Sequence, residues 1–138
     1  MSWLADADVT TIEMRDAAQK ASLKTAIESQ RKTAEAEGVV INDIRYSGDL
    51  ANRQALLEVV QFAREASIES FESWKDSDDQ FHTNHPLVDV EQALQAIAYR
   101  RGALIALEAQ YQSQEDDGTL TDTSELTWGN TPISLSVA

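Results

Sequence analysis

Apolar positions in this chain recur first at helical spacing, then in short β-branched runs, then at helical spacing twice more. From about Ala7 to Glu37 no glycine or proline interrupts the pattern, and Gly38 stands where a helix stop is expected. The apolar stripe of this first helix is thin: Val9, Ile12, Leu23, Ile27 and many alanines. Leu23, Ile27, Gln30 and Ala34 keep a heptad-like spacing, but the larger side chains run out before a coiled coil is specified. Such a helix is weak alone and leans on a neighbour or a symmetry mate.

Val39-Val40-Ile41 and Ile44-Arg45-Tyr46 flank Asn42-Asp43, two residues that tolerate positive φ, which predicts a tight hairpin. Asp49 then caps a second helix. Leu56, Val60, Ala63, Ser67, Phe71 and Trp74 recur at helical spacing, so the stripe runs on into Trp74. Glu58, Glu65, Glu69 and Glu72 fall mostly on the solvent side of that helix. The segment from Ser73 to Phe81 encloses an acidic turn between two aromatics. It predicts a second hairpin in which Trp74 and Phe81 cross-pair and pack on the second and third helices.

Asp89 is the expected cap of a third helix ending near Gln114. Val90, Leu94, Ile97, Arg101, Leu104 and Glu108 line up on it, widened by Ala93, Ala98, Ile105 and Tyr111. Arg101 interrupts the apolar face, with pairing to Glu65 or Glu69 within its reach. Beyond Gly118 the composition changes. Glu125–Trp128 and Ile133–Val137 read as strands, the second with period-two alternation. These elements predict an α+β, helix-dominated fold: three helices, two small β-hairpins, a long N-terminal helix and a β-rich C-terminal tail projecting from the body. The organisation is a helical arm over 1–37, a small α+β domain over 38–115 and an extended tail over 116–138.

Charge narrows the function. Twenty-four acidic residues against eleven basic ones give a formal net charge of −13 over 138 residues. That argues against nucleic acid and against an anionic membrane surface, both of which call for clustered Lys and Arg. It suits docking onto a basic partner patch. The chain has no Cys, which excludes disulfides, thiolate catalysis and Cys-based zinc sites. The opening Met1–Asp6 has neither the basic start nor the apolar core of a signal peptide.

Chemical constellations are few. His82 and His85, beside Asp76, Asp78 and Asp79, read either as metal ligands or as a polar hairpin tip. Asp76-Ser77-Asp78-Asp79 lacks the Gly and the distal Glu of a calcium loop, and Asp116-Asp117-Gly118, an acid-acid-Gly run after a helix, reads as an exposed stop rather than a calcium site. No nucleophile elbow, phosphate loop or dinucleotide turn occurs. The reading is therefore non-enzymatic, without cofactor or metal. Trp3, Trp128, Ile133, Leu135 and Val137, at the two ends of the chain, are the candidate partner-binding residues.

A set of spaced residues resembles a known family. Arg31 precedes Glu37-Gly38-Val39-Val40-Ile41-Asn42, followed by Tyr46, Asp49 and Arg53. Then come Trp74-Lys75-Asp76-Ser77-Asp78 with Phe81, and Leu87 with the third helix to about Glu108. In this order they resemble the bacteriophage tail family catalogued as domain of unknown function 4376, over roughly residues 28–112. The N-terminal helix and the C-terminal strands fall outside that resemblance. Asn42-Asp43 stands where the family has an Asn-Gly or Asp-Gly type turn. The resemblance implies a non-enzymatic virion protein of the tail, assembled in the host cytoplasm. It would connect a fibre or receptor-binding component at the fibre or baseplate. Its partners would be other tail proteins and copies of itself, a trimer by analogy with tail fibres. A tail-fibre assembly chaperone absent from the mature virion is the alternative, and a small metal-dependent enzyme built on His82 and His85 is a third reading.

Overall fold

A computed structural model of the chain describes the backbone of residues 3–129 and 133–135 and the side chains of residues 11–129. The described elements are α1 (Trp3–Glu37), β1 (Val39–Ile41), β2 (Ile44–Tyr46), α2 (Leu50–Glu65), β3 (Ser70–Lys75), β4 (Phe81–Pro86), α3 (Leu87–Asp116) and β5 (Ile133–Leu135). The fold is α+β and helix-dominated, as expected.

Gly38 ends α1 and turns the chain into the first hairpin. Its φ is +78°, and a Cβ there would sit 1.9 Å from the Tyr46 carbonyl oxygen, so only glycine fits. Asn42 and Asp43 both have positive φ (50° and 68°), and β1 pairs with β2 in antiparallel register, Val39 opposite Tyr46. The Asn-Asp pair thus makes the hairpin turn that needs two left-handed residues. β5 adds to the other edge of β1 in parallel, Val39 opposite Ile133, giving the sheet order β2-β1-β5. The tail therefore folds back onto the body instead of projecting from it. Glu125–Trp128 is irregular, not a strand.

The second helix is shorter than its stripe suggested. α2 ends at Glu65, and Ser67 takes a left-handed φ of 56°. The Ile68 amide then donates to the Ala63 carbonyl at 2.8 Å and the Ser67 amide to Arg64 at 3.3 Å. This pattern of bonds satisfies the last carbonyls and stops a helix. Phe71 and Trp74 consequently stand on β3, and Glu69 and Glu72 leave the helix with them. Phe81 lies opposite Lys75, is 74% exposed and does not cross-pair with Trp74, whose opposite number is His82.

α3 starts directly after β4. Pro86 occupies its N-cap position and the Leu87 amide donates to the Glu69 carbonyl at 2.9 Å. Asp89 is not the cap; it sits buried in the first turn and accepts a hydrogen bond from Asn42. The core forms between α2, α3 and the hairpins from Val39, Ile41, Tyr46, Leu56, Val60, Ala63, Leu87, Val90, Ala93 and Ile97. α1 lies antiparallel to α3: Lys24 pairs with Asp116, Arg31 with Glu108, and the Arg100 guanidinium reaches the Ala34 carbonyl. The second half of α1 belongs to the body, with Ile27, Arg31, Ala34 and Glu35 buried. Among the described residues no helix is long and apolar enough to cross a membrane.

Candidate functional site

Three local arrangements hold the chemistry of the molecule. The first is the joint of the three helices. Glu35 is buried on the face of α1 that meets α3, and one carboxylate gathers three guanidiniums: Arg31 from its own helix, Arg53 from α2 and Arg101 from α3. Arg101 Nε stands 2.6 Å from Glu35 Oε1, and Arg31 Nε donates to Glu108 at 3.0 Å. Arg101 thus pairs with α1, not with Glu65 or Glu69. A carboxylate desolvated to this degree is stable only because charge-assisted bonds surround it. The sequence carried one sign of this joint, an Arg31–Glu35 pair at i,i+4 on the same face as Ile27 and Ala34. The role of Glu35 itself was missed.

The second arrangement is the aromatic–histidine cluster under the second hairpin. His85 is buried, stacked on Trp74 with ring centroids 4.9 Å apart, and shares a 2.5 Å hydrogen bond with the Tyr46 hydroxyl. Phe71 packs against Trp74 at 5.3 Å. Burial holds the His85 imidazole below its ordinary value, against the pull of Asp89, and drives the Tyr46 phenol up. His82 bonds Asp76 Oδ2 at 2.7 Å. Burial works to raise the Asp76 carboxyl, but bonds from His82 and from the Gln80 and Asp78 amides outweigh it and hold it low. Each histidine is thus engaged by a different protein group, and their rings are 6.3 Å apart. Among the described residues, no three His, Cys, Asp or Glu side chains gather in a way that could hold a metal.

The third arrangement seats the tail. The Trp128 indole donates to Gln30 Oε1 at 2.9 Å, and Gln30 Nε2 donates to the Thr123 carbonyl at 3.0 Å. Trp128 meets Tyr111 edge-on at 5.1 Å, and the Tyr111 hydroxyl donates to the Thr127 carbonyl. Trp128 is therefore half-buried against its own α1 and α3 rather than a free anchor. The Trp3, Ile133 and Leu135 side chains and the whole of Val137 lie outside the described residues.

This arrangement defines a class: a helix-framed α+β domain whose described buried polar side chains join its own elements. The chain belongs to the family described as Domain of unknown function (DUF4376), whose model matches residues 6–127. That match is wider than the 28–112 expected and takes in most of α1 and the tail as far as Thr127, one residue short of Trp128. No curated protein and no solved structure matches the chain. The residues that carried the resemblance now have physical roles. Arg31, Asp49 and Arg53 frame the helix joint, Gly38 and Tyr46 shape the first hairpin, and Trp74 and Asp76 secure the second.

Proposed function

We propose that the chain is a non-enzymatic structural protein of a bacteriophage tail, linking a fibre or receptor-binding component to the fibre base or baseplate. One observation supports a linking role most. α1 meets the last turn of α3 at Lys24–Asp116, and every residue from Thr11 to Ser22 is exposed, Ile12 and Met14 included. The stretch of α1 from residue 3 to 23 thus runs about 30 Å past the end of α3, at 1.5 Å per residue. A helix whose described side chains from residue 11 to 22 are all exposed is marginal in water. A partner helix, from neighbouring copies or from another tail protein, supplies the missing cover. The phage context rests on the family resemblance. Assembly into a trimer, and a place in the virion tail after assembly in the host cytoplasm, belong to the same proposal.

The test is a phage encoding the protein without residues 2–21. The body should still fold and melt cooperatively, while the purified particles lose the linked component. Particles with a full complement of fibres and tail proteins would defeat the linking role of the arm. Particles that carry fibres but never the protein, whether full-length or shortened, would favour the assembly chaperone instead.

A further inference from the structure

The helix joint has an outward side. Beside Glu35, a cleft of about 330 Å³ opens between α1 and α2, with Arg31, Lys32, Arg53 and Arg101 on its wall and Glu35 and Asp49 as its acidic groups. Four cations thus face two carboxylates in a chain whose net charge is −13. The carboxylates do not use up the donors. Asp49 Oδ1 accepts from the Ser47 hydroxyl at 2.9 Å, and Glu35 has two oxygens for three guanidiniums of five N–H groups each. Glu28 draws Lys32 toward the rim, and Glu108 holds Arg31 from behind. Of the three guanidiniums Arg101 is the most open, its side chain 44% exposed, followed by Arg53 at 21% and Arg31 at 10%. The N-terminus of α2 opens beside the cleft. Asp49 makes no side-chain cap bond there, and the first turn holds no acidic residue, so the positive end of the helix adds to the field.

We propose that this cleft is a carboxylate-binding site that receives an acidic side chain from an extended peptide segment of a partner protein, against Arg53 and Arg101. A planar carboxylate matches a guanidinium edge in two parallel hydrogen bonds. The apolar surroundings select a peptide over a free anion. Leu50 at the cleft edge and Leu57, seven residues along the same face of α2, are 60% and 57% exposed, which suits an acidic residue flanked by apolar ones. A polyanion is disfavoured, because the acidic remainder of the surface repels it, whereas a single contact pair survives inside a Debye length of about 8 Å at physiological salt. This site does not depend on the virion reading.

The experiment is fluorescence anisotropy of the full chain with a labelled peptide of alternating Glu and Leu, against a Lys-Leu control and with inorganic phosphate as competitor. Saturable binding of the Glu-Leu peptide is expected, weakened roughly tenfold by Arg101→Gln and by a smaller factor by Leu50→Ser. Lys32→Glu, at the exposed rim, should also weaken it and keeps the test valid if Arg101→Gln disturbs the joint. The proposal is overturned by absence of saturable binding, by equal binding of the Lys-Leu peptide, or by affinity unchanged in both Arg101→Gln and Lys32→Glu. It is overturned equally if phosphate displaces the peptide at similar concentration and Leu50→Ser has no effect, which would mark a general anion site.

Discussion

At the scale of single residues, stability turns on buried polar groups that differ in how well they are partnered. His85 is held neutral by burial, so its folded pKa lies below the ordinary value of about 6.5. The unfolded chain then binds more protons than the folded one as pH falls. The contribution of His85 is complete above about pH 6.5 and is lost as pH drops toward the lowered folded value. Acidification also relieves repulsion among the excess carboxylates, so the diagnostic quantity is a difference. Melting curves between pH 7.5 and 5 should converge for wild type and His85→Gln, the wild type losing its advantage at the acid end. Tyr46→Phe removes the hydroxyl bonded to His85 Nε2 and should cost about 1–3 kcal/mol, read from denaturant melts at pH 7.5. Glu115 is the opposite case. It is 2% exposed and neither carboxylate oxygen has a hydrogen-bond partner. Glu115→Leu should therefore stabilise the chain, since a buried carboxylate without a well-formed hydrogen bond, with Asp116 and Lys24 as its neighbours, is replaced by packing. A lower melting temperature in that variant would show that the carboxylate is useful where it sits.

At the scale of elements, the joint at Glu35 decides whether α1 stays on α3. Glu35→Gln leaves three guanidiniums around a neutral amide. It should destabilise by about 3–5 kcal/mol, with hydrogen exchange rising first over residues 24–37. The tail has a separate latch. Trp128→Ala loses the Gln30 bond and the Tyr111 contact, so limited proteolysis should cut sooner between residues 119 and 129 while α2 and the hairpins stay protected. Much of this was legible in the sequence. The first hairpin followed from two residues that accept positive φ, and the helix ends at Gly38 and beyond Gln114 from their stop residues. The end of α2 was not legible, because Phe71 and Trp74 prolong a helical spacing that the left-handed Ser67 interrupts. The helix joint was not legible: Glu35 went unremarked four residues after Arg31, and Arg53 and Arg101 arrive from elements far along the chain. The Trp128 seat on Gln30 is nearly a hundred residues apart in sequence, and no local pattern announces it.

At the scale of the whole molecule, α2, α3 and the hairpins share one core, and residues 11–22 of α1 stand outside it, all exposed. The second half of α1, the tail up to Trp128 and the strand added to β1 close onto the body, while among the described residues the segment around Ile12 and Met14 is exposed on every side. An acidic chain avoids like-charged neighbours, so association through this helix should strengthen with added salt. Sedimentation at 0.05 and 0.5 M NaCl should show a higher association state at high salt, and the version without residues 2–21 should remain monomeric in both. The central claim, a structural place in a phage tail, is tested most directly by quantitative mass spectrometry of purified, mature particles of the phage that encodes the chain. The protein should be found at a fixed copy number relative to the tail proteins. Its absence from particles, with the protein plentiful in the lysate that produced them, would contradict the claim.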